Sequence, residues 1–103
     1  MNDFDYVDVS TLPEHMQGAV LRYLNDGIMP GDFLTTVLEN DLAHSYQRAD
    51  TINLEAIPMW ARWLIWECPA PAWGSPAKVR EWAMRRTRAR EQAAAPATTE
   101  EAR

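Results

Sequence analysis

Cysteine is nearly absent: Cys68 stands alone in a chain of 103 residues. No intrachain disulfide can form, and a cysteine-rich structural zinc site is excluded. Glycine is scarce as well. The four present form neither a GxGxxG run nor a P-loop, so no phosphate-cradling loop is written into the chain. No apolar run approaches the ~18 residues a membrane span needs, and no charged-then-apolar secretion signal opens the sequence. These absences lead us to expect a soluble, cytoplasmic protein with no membrane partner. Metal-ligand spacings such as HxxxH, HExxH and CxxC are missing too. His15 and His44, the only histidines, lie on different segments and read as surface or helix-end residues. Cys68 has no nucleophile signature around it and reads as a small buried residue. Paired carboxylates such as Asp26/Asp32 or Glu39/Asp41 fall at helix ends, where acids in a first turn interact well with the macrodipole. The expectation is no enzyme: no catalytic residue, no metal and no cofactor.

What is present suits one small globule. Hydrophobic residues make up 47% and charged residues 24%, and this length supports a single domain with one modest core. The five Trp are a high count for such a chain. The net charge of −5 conceals an asymmetry. Residues 1–76 carry eleven acids against three bases, a net −8, whereas residues 77–91 carry six bases against two acids, a net +4. Such a body repels nucleic acid over most of its surface. The basic segment has three readings: contact with phosphate, contact with an acidic partner, or contact with the chain's own acidic half.

Periodicity predicts an all-α fold, a small irregular bundle of four to five helices. Residues 1–10 read as an N-terminal arm, either extended with Phe4 and Tyr6 as anchors or a frayed terminus. Residues 11–91 form the helical domain. Residues 92–103, poor in apolar bulk and interrupted by Pro96, are expected to be disordered. Thr11-Leu12-Pro13-Glu14 fits a capping box opening a helix that Gly27 stops. Met16, Val20, Leu21 and Leu24 are its apolar stripe. Pro30 opens a second helix with Phe33, Leu34, Val37, Leu38 and Leu42 inside, continuing towards Ala49 unless Asn40-Asp41 interrupts it. Asp50-Thr51 caps a third, and Pro58 within it demands a kink or a fresh start near Ala56–Pro58. Ser75-Pro76 starts a fourth helix running to about Arg90, with Val79 and Trp82 as its apolar anchor.

Two segments carry candidate binding chemistry. Ile57–Trp66 is apolar nearly all round, which marks either a central core helix or a helix with one Trp-bearing face left open. On a helical projection Ile57, Trp60, Ala61 and Leu64 share one side, and Met59, Trp63 and Trp66 another. The second set forms the candidate apolar anchor for a partner, since Trp is enriched at binding hot spots. Asp32, Glu39 and Asp41 supply a candidate acidic face that would stand where phosphates otherwise bind. The same acids argue against a DNA-reading helix–turn–helix, because the would-be reading helix has no base before Arg48. Arg85, Arg86, Arg88 and Arg90 are the candidate contacts for nucleic acid or an acidic partner. Their spread over two neighbouring strips suits phosphate contact, not base reading.

The run Gly27-Ile28-x-Pro30-Gly31-x-Phe33-Leu34-x-x-Val37-Leu38-x-Asn40-Asp41-Leu42, then Arg48-Ala49-Asp50-x-x-Asn53, then Trp73-Gly74-Ser75-Pro76-x-x-Val79-x-x-Trp82, resembles small proteins encoded in tailed-phage and prophage genomes. The resemblance spans roughly residues 12–83 and brings no catalytic residue with it. It implies a small accessory protein working in the cytoplasm of an infected bacterium. Small acidic phage proteins often bind a host complex and block it. The expectation that follows is a non-enzymatic binder that inhibits or modulates a bacterial host complex, for example a CRISPR effector (an anti-CRISPR role) or other defence machinery. The alternatives are a nucleic-acid-binding accessory protein using residues 78–90, and a homodimer whose Trp face is self-buried.

Overall fold

The computed structural model describes residues 3–94. The chain is all-α, with six α-helices and one 3₁₀ turn and no strand among the described residues. The helices are α1 (Glu14–Asp26), α2 (Asp32–Leu38), α3 (Leu42–Arg48), α4 (Thr51–Glu55), α5 (Ile57–Trp66) and α6 (Pro76–Ala94), and the 3₁₀ turn is Ala70–Ala72.

The helix count exceeds the expected four to five because both suspected interruptions are real breaks. Asn40 takes a left-handed conformation (φ 64°), which a short polar side chain tolerates better than most. Asp41 then caps α3, its carboxylate accepting the His44 N–H at 3.2 Å. Leu42, assigned to the core stripe of a continuous helix, is consequently thrown outwards and is exposed. Asp50 caps α4 through the Asn53 N–H at 2.7 Å. Ala56 separates α4 from α5, and Pro58 lies in the first turn of α5, where a missing N–H costs nothing.

α1 departs from expectation at its start. Pro13 occupies the cap position with no side-chain cap bond, so Thr11 lies too early for the capping box. Gln17 instead donates to the Leu12 carbonyl at 2.9 Å. Its end behaves as expected. Gly27 is left-handed (φ 72°), and its N–H returns to the Tyr23 carbonyl at 3.0 Å. At the start of α6 the Ser75 hydroxyl accepts the Lys78 N–H at 3.2 Å, the cap the sequence predicts.

One core joins α1 (Val20, Tyr23, Leu24), α2 (Phe33, Leu34, Val37, Leu38), α5 (Ile57, Trp60, Trp63, Leu64) and α6 (Val79, Trp82, Ala83). α6 packs chiefly on α1 and on the 3₁₀ turn. Tyr23 is fully buried and donates its hydroxyl to the Ala72 carbonyl at 2.7 Å, which ties the 3₁₀ turn to α1. Burial and the nearby Glu39 and Cys68 raise its pKa far above the ordinary phenol value.

The N-terminal arm is not extended. Residues 3–6 fold into turns, with the Val7 N–H on the Phe4 carbonyl at 3.0 Å. Val7 and Leu12 enter the core, and Phe4 packs edge-on against Trp82 with centroids 5.1 Å apart. Tyr6, expected as an anchor, is exposed. The apolar side chains of the arm find a ready surface on α6 and α1, and that burial outweighs a free extended strand. At the other end α6 runs on through Ala94, past the expected stop at Arg90–Glu91. The disorder expected from residue 92 therefore fails for Gln92–Ala94, and its remainder, 95–103, lies outside the described residues.

Candidate functional site

α5 divides its tryptophans between core and surface. Ile57, Trp60, Trp63 and Leu64 recur at helical spacing and turn inwards. Trp60 donates its indole N–H to the Asn53 side-chain oxygen at 3.2 Å, and Trp63 donates to the Asp8 carbonyl at 2.8 Å. The two rings meet edge to face at 6.3 Å, and Phe33 meets Trp60 the same way at 5.6 Å. Trp63 is only 2% exposed, which corrects the expectation that it serves as an open anchor. The folded N-terminal arm covers it and satisfies its N–H.

The rest of the expected trio does reach the surface. Trp66 is 75% exposed and Met59 37%, one above the other at i and i+7. They line a groove of about 340 Å³ with Thr11, Arg62, Trp63 and Glu67. Ile65, 64% exposed, extends the apolar surface round the helix. Leu42 and Tyr46 on α3 and Ile52 and Leu54 on α4 are exposed as well. A small cleft of about 80 Å³ lies between the α2–α3 turn and the Ile57–Trp60–Leu64 side of α5. Sequence reasoning missed this wider apolar surface because it treated α3 and α4 as parts of longer amphipathic helices.

Asp41 does not join Asp32 and Glu39 in one acidic face. Asp32 is exposed in the first turn of α2, and Glu39 borders a groove against α6. Asp41 belongs to the separate α2–α3 cleft. Its carboxylate is held by the His44 side chain at 2.7 Å and by the His44 N–H, which together lower its pKa. The physical reason is the break at Asn40, which rotates Asp41 away from the α2 acids.

The arginines separate likewise. Arg86 is not available to a partner. Its Nε donates to the Asn25 carbonyl at 3.0 Å, an Nη donates to the Asp3 carboxylate at 3.2 Å, and its guanidinium lies 5.0 Å from the centre of the Phe4 ring. Arg85 sits over the Trp82 ring at 5.5 Å. Arg88 and Arg90 are exposed. The basic segment thus binds its own acidic half through Arg86, one of the three readings its charge allowed.

His15 pairs with Asp50 at 3.1 Å and His44 with Asp41, so the histidines serve different helix caps. Among the described residues no three His, Cys, Asp or Glu side chains gather as a metal-ligand set. Cys68 is buried, and desolvation pushes its thiol up to about 12. No helix among the described residues is long and apolar enough to cross a membrane.

A second groove, of about 550 Å³, runs between α6 and the segment around Gly27, Met29 and Glu39. No family model, curated protein or solved structure matches the chain.

Proposed function

We propose that this chain is a non-enzymatic binding protein of phage or prophage origin that docks on a bacterial host complex in the cytoplasm and inhibits or redirects it. The resemblance to tailed-phage proteins supplies the context, and α5 supplies the contact surface. The observation that carries the reading is the three-quarters-exposed indole of Trp66, which with Met59 lines a groove next to the exposed Ile65. A large aromatic held on a rigid helix, beside Arg62, has the composition of a binding hot spot. A defence complex such as a CRISPR effector is the class of partner this predicts. The high pKa of the buried Cys68 thiol and the commitment of both histidines to helix caps support a binding role over nucleophilic chemistry.

The test compares the intact chain with Trp66→Ser. Wild type retains a protein complex from nuclease-treated bacterial lysate and inhibits that complex's activity when added to it. Trp66→Ser weakens the interaction about 30-fold, the effect of losing a hot spot of about 2 kcal/mol, with its melting temperature unchanged. Equal inhibition by the two proteins sinks the reading. Loss of every partner after nuclease shifts it to nucleic acid held by the exposed Lys78, Arg80, Arg88 and Arg90.

A further inference from the structure

The groove beside α6 is independent of the α5 surface, and its order along the helix is defined. The Gly74 N–H bonds the Leu38 carbonyl at 2.8 Å, which fixes Glu39 beside the start of α6. Gly27 lies against the middle: a Cβ there would strike the Ala83 carbonyl oxygen and stand 2.8 Å from the Thr87 nitrogen. Arg88 and Glu91 line the far end. From α6 the groove receives Val79/Arg80, Ala83/Met84, Thr87/Arg88 and Glu91, among which Arg80, Met84, Thr87 and Glu91 are spaced four, three and four residues apart and form one straight stripe. Its middle is apolar or small, with the exposed Met84 and Met29 as adaptable walls. Each end carries one acid and one base: Glu39 with Arg80, and Arg88 with Glu91. Among the described residues none of these four has an ion-pair partner in its own chain.

We propose that this stripe is a self-complementary interface in which α6 of a second copy of the chain lies antiparallel in the groove. A two-fold axis between positions 85 and 86 sets Arg80 opposite Glu91 of the second copy and Met84 opposite its Thr87. Its Arg88 then falls opposite Ala83, near the middle of the groove. Arg80 and Glu91 are eleven residues apart, about three turns and about 16 Å, so both stay on one face. The Arg80–Glu91 pair is made twice by symmetry, and Met84 of each copy is covered. A parallel arrangement would set Arg80 on Arg80 and Glu91 on Glu91, so charge selects the antiparallel one.

Light scattering and sedimentation of the intact chain over a range of concentrations test this. Wild type is a dimer in low salt, and its dissociation constant rises with ionic strength. Arg80→Glu raises that constant about tenfold or more, because two attractive pairs per dimer become repulsive. Adding Glu91→Arg to Arg80→Glu restores the dimer. Circular dichroism confirms that both variants keep their helices, since both positions are exposed. A wild-type chain that is monomeric at every concentration overturns the proposal. So does a dimer that Arg80→Glu leaves unchanged, or one that Trp66→Ser abolishes, which would place the contact on α5.

Discussion

At the scale of single residues, Gly27 carries the most constraint. It combines a left-handed conformation that ends α1 with a backbone approach to α6 that leaves no room for a side chain. Gly27→Ala therefore meets two costs, the positive φ and the clash with Ala83 and Thr87. We expect a loss of about 3 kcal/mol, measurable by urea denaturation. The substitution of Gly31, which has an ordinary φ and open space around its Cβ position, serves as the control and should cost well under that. The tryptophans show how the same residue type takes different roles. Trp60 and Trp63 are core residues with satisfied indole N–H groups, Trp82 is a core residue whose N–H has no partner among the described residues, and Trp66 faces solvent. Composition counts these residues equally. Only their phase on α5 and α6, and what packs over them, separates anchor from core.

At the scale of elements, short helices are held by their caps. α3 and α4 have seven and five residues, far below the length at which a helix persists alone, so Asp41 and Asp50 matter out of proportion to their exposure. The side-chain bond from His44 is the main cause lowering the Asp41 pKa, and the Asn53 N–H is the main cause for Asp50. Asp8 is lowered likewise by Ser10. A carboxylate whose pKa is depressed on folding contributes stability above its unfolded value of about 3.9, and that contribution disappears as pH falls through the lower folded value. Thermal stability from these groups should hold steady near neutrality and decline below about pH 4. The double variant Asp41→Asn with Asp50→Asn keeps cap geometry but removes the titration, so its melting temperature should vary less with acid pH than that of wild type. A wild-type slope unchanged by the pair would show that other carboxylates control the acid limb.

At the scale of the whole molecule, the N-terminal arm closes the fold. Phe4 lies between Trp82 and Arg86, its N–H donates to the Asn25 side chain at 2.6 Å, and the Asn25 amide donates to Asp5 at 2.8 Å. Arg86 completes the clasp by reaching Asp3 and the Asn25 backbone. Thus the N-terminal arm and the middle of α6 meet across the end of α1, and part of the charge asymmetry is cancelled internally. Phe4→Ala should lower stability by about 2 kcal/mol, on the order of 10 °C in Tm, less than a fully buried Phe because the ring is only partly covered. Hydrogen exchange of residues 3–12 should accelerate more than that of α2. Uniform acceleration would mean that the arm is not a separate closing unit.

The sequence by itself determined the helical class, the cap residues Asp50 and Ser75, the stop at Gly27 and the break near Pro58, whereas the break at Asn40 and the cap at Asp41 interrupt a helix it expected to continue. Each depends on atoms within about four residues along the chain, so local spacing carries the information. It also singled out α5 as too apolar for an ordinary surface helix. Tertiary structure alone decided that Trp63 is covered while Trp66 is not, that Arg86 is spent on the arm, and that Asp41 sits apart from Asp32 and Glu39. Those outcomes rest on contacts between residues far apart in sequence, such as Trp63 with Asp8 and Arg86 with Asp3. A helical projection shows which residues share a side, but the choice of which side faces the core belongs to the partners that pack against it.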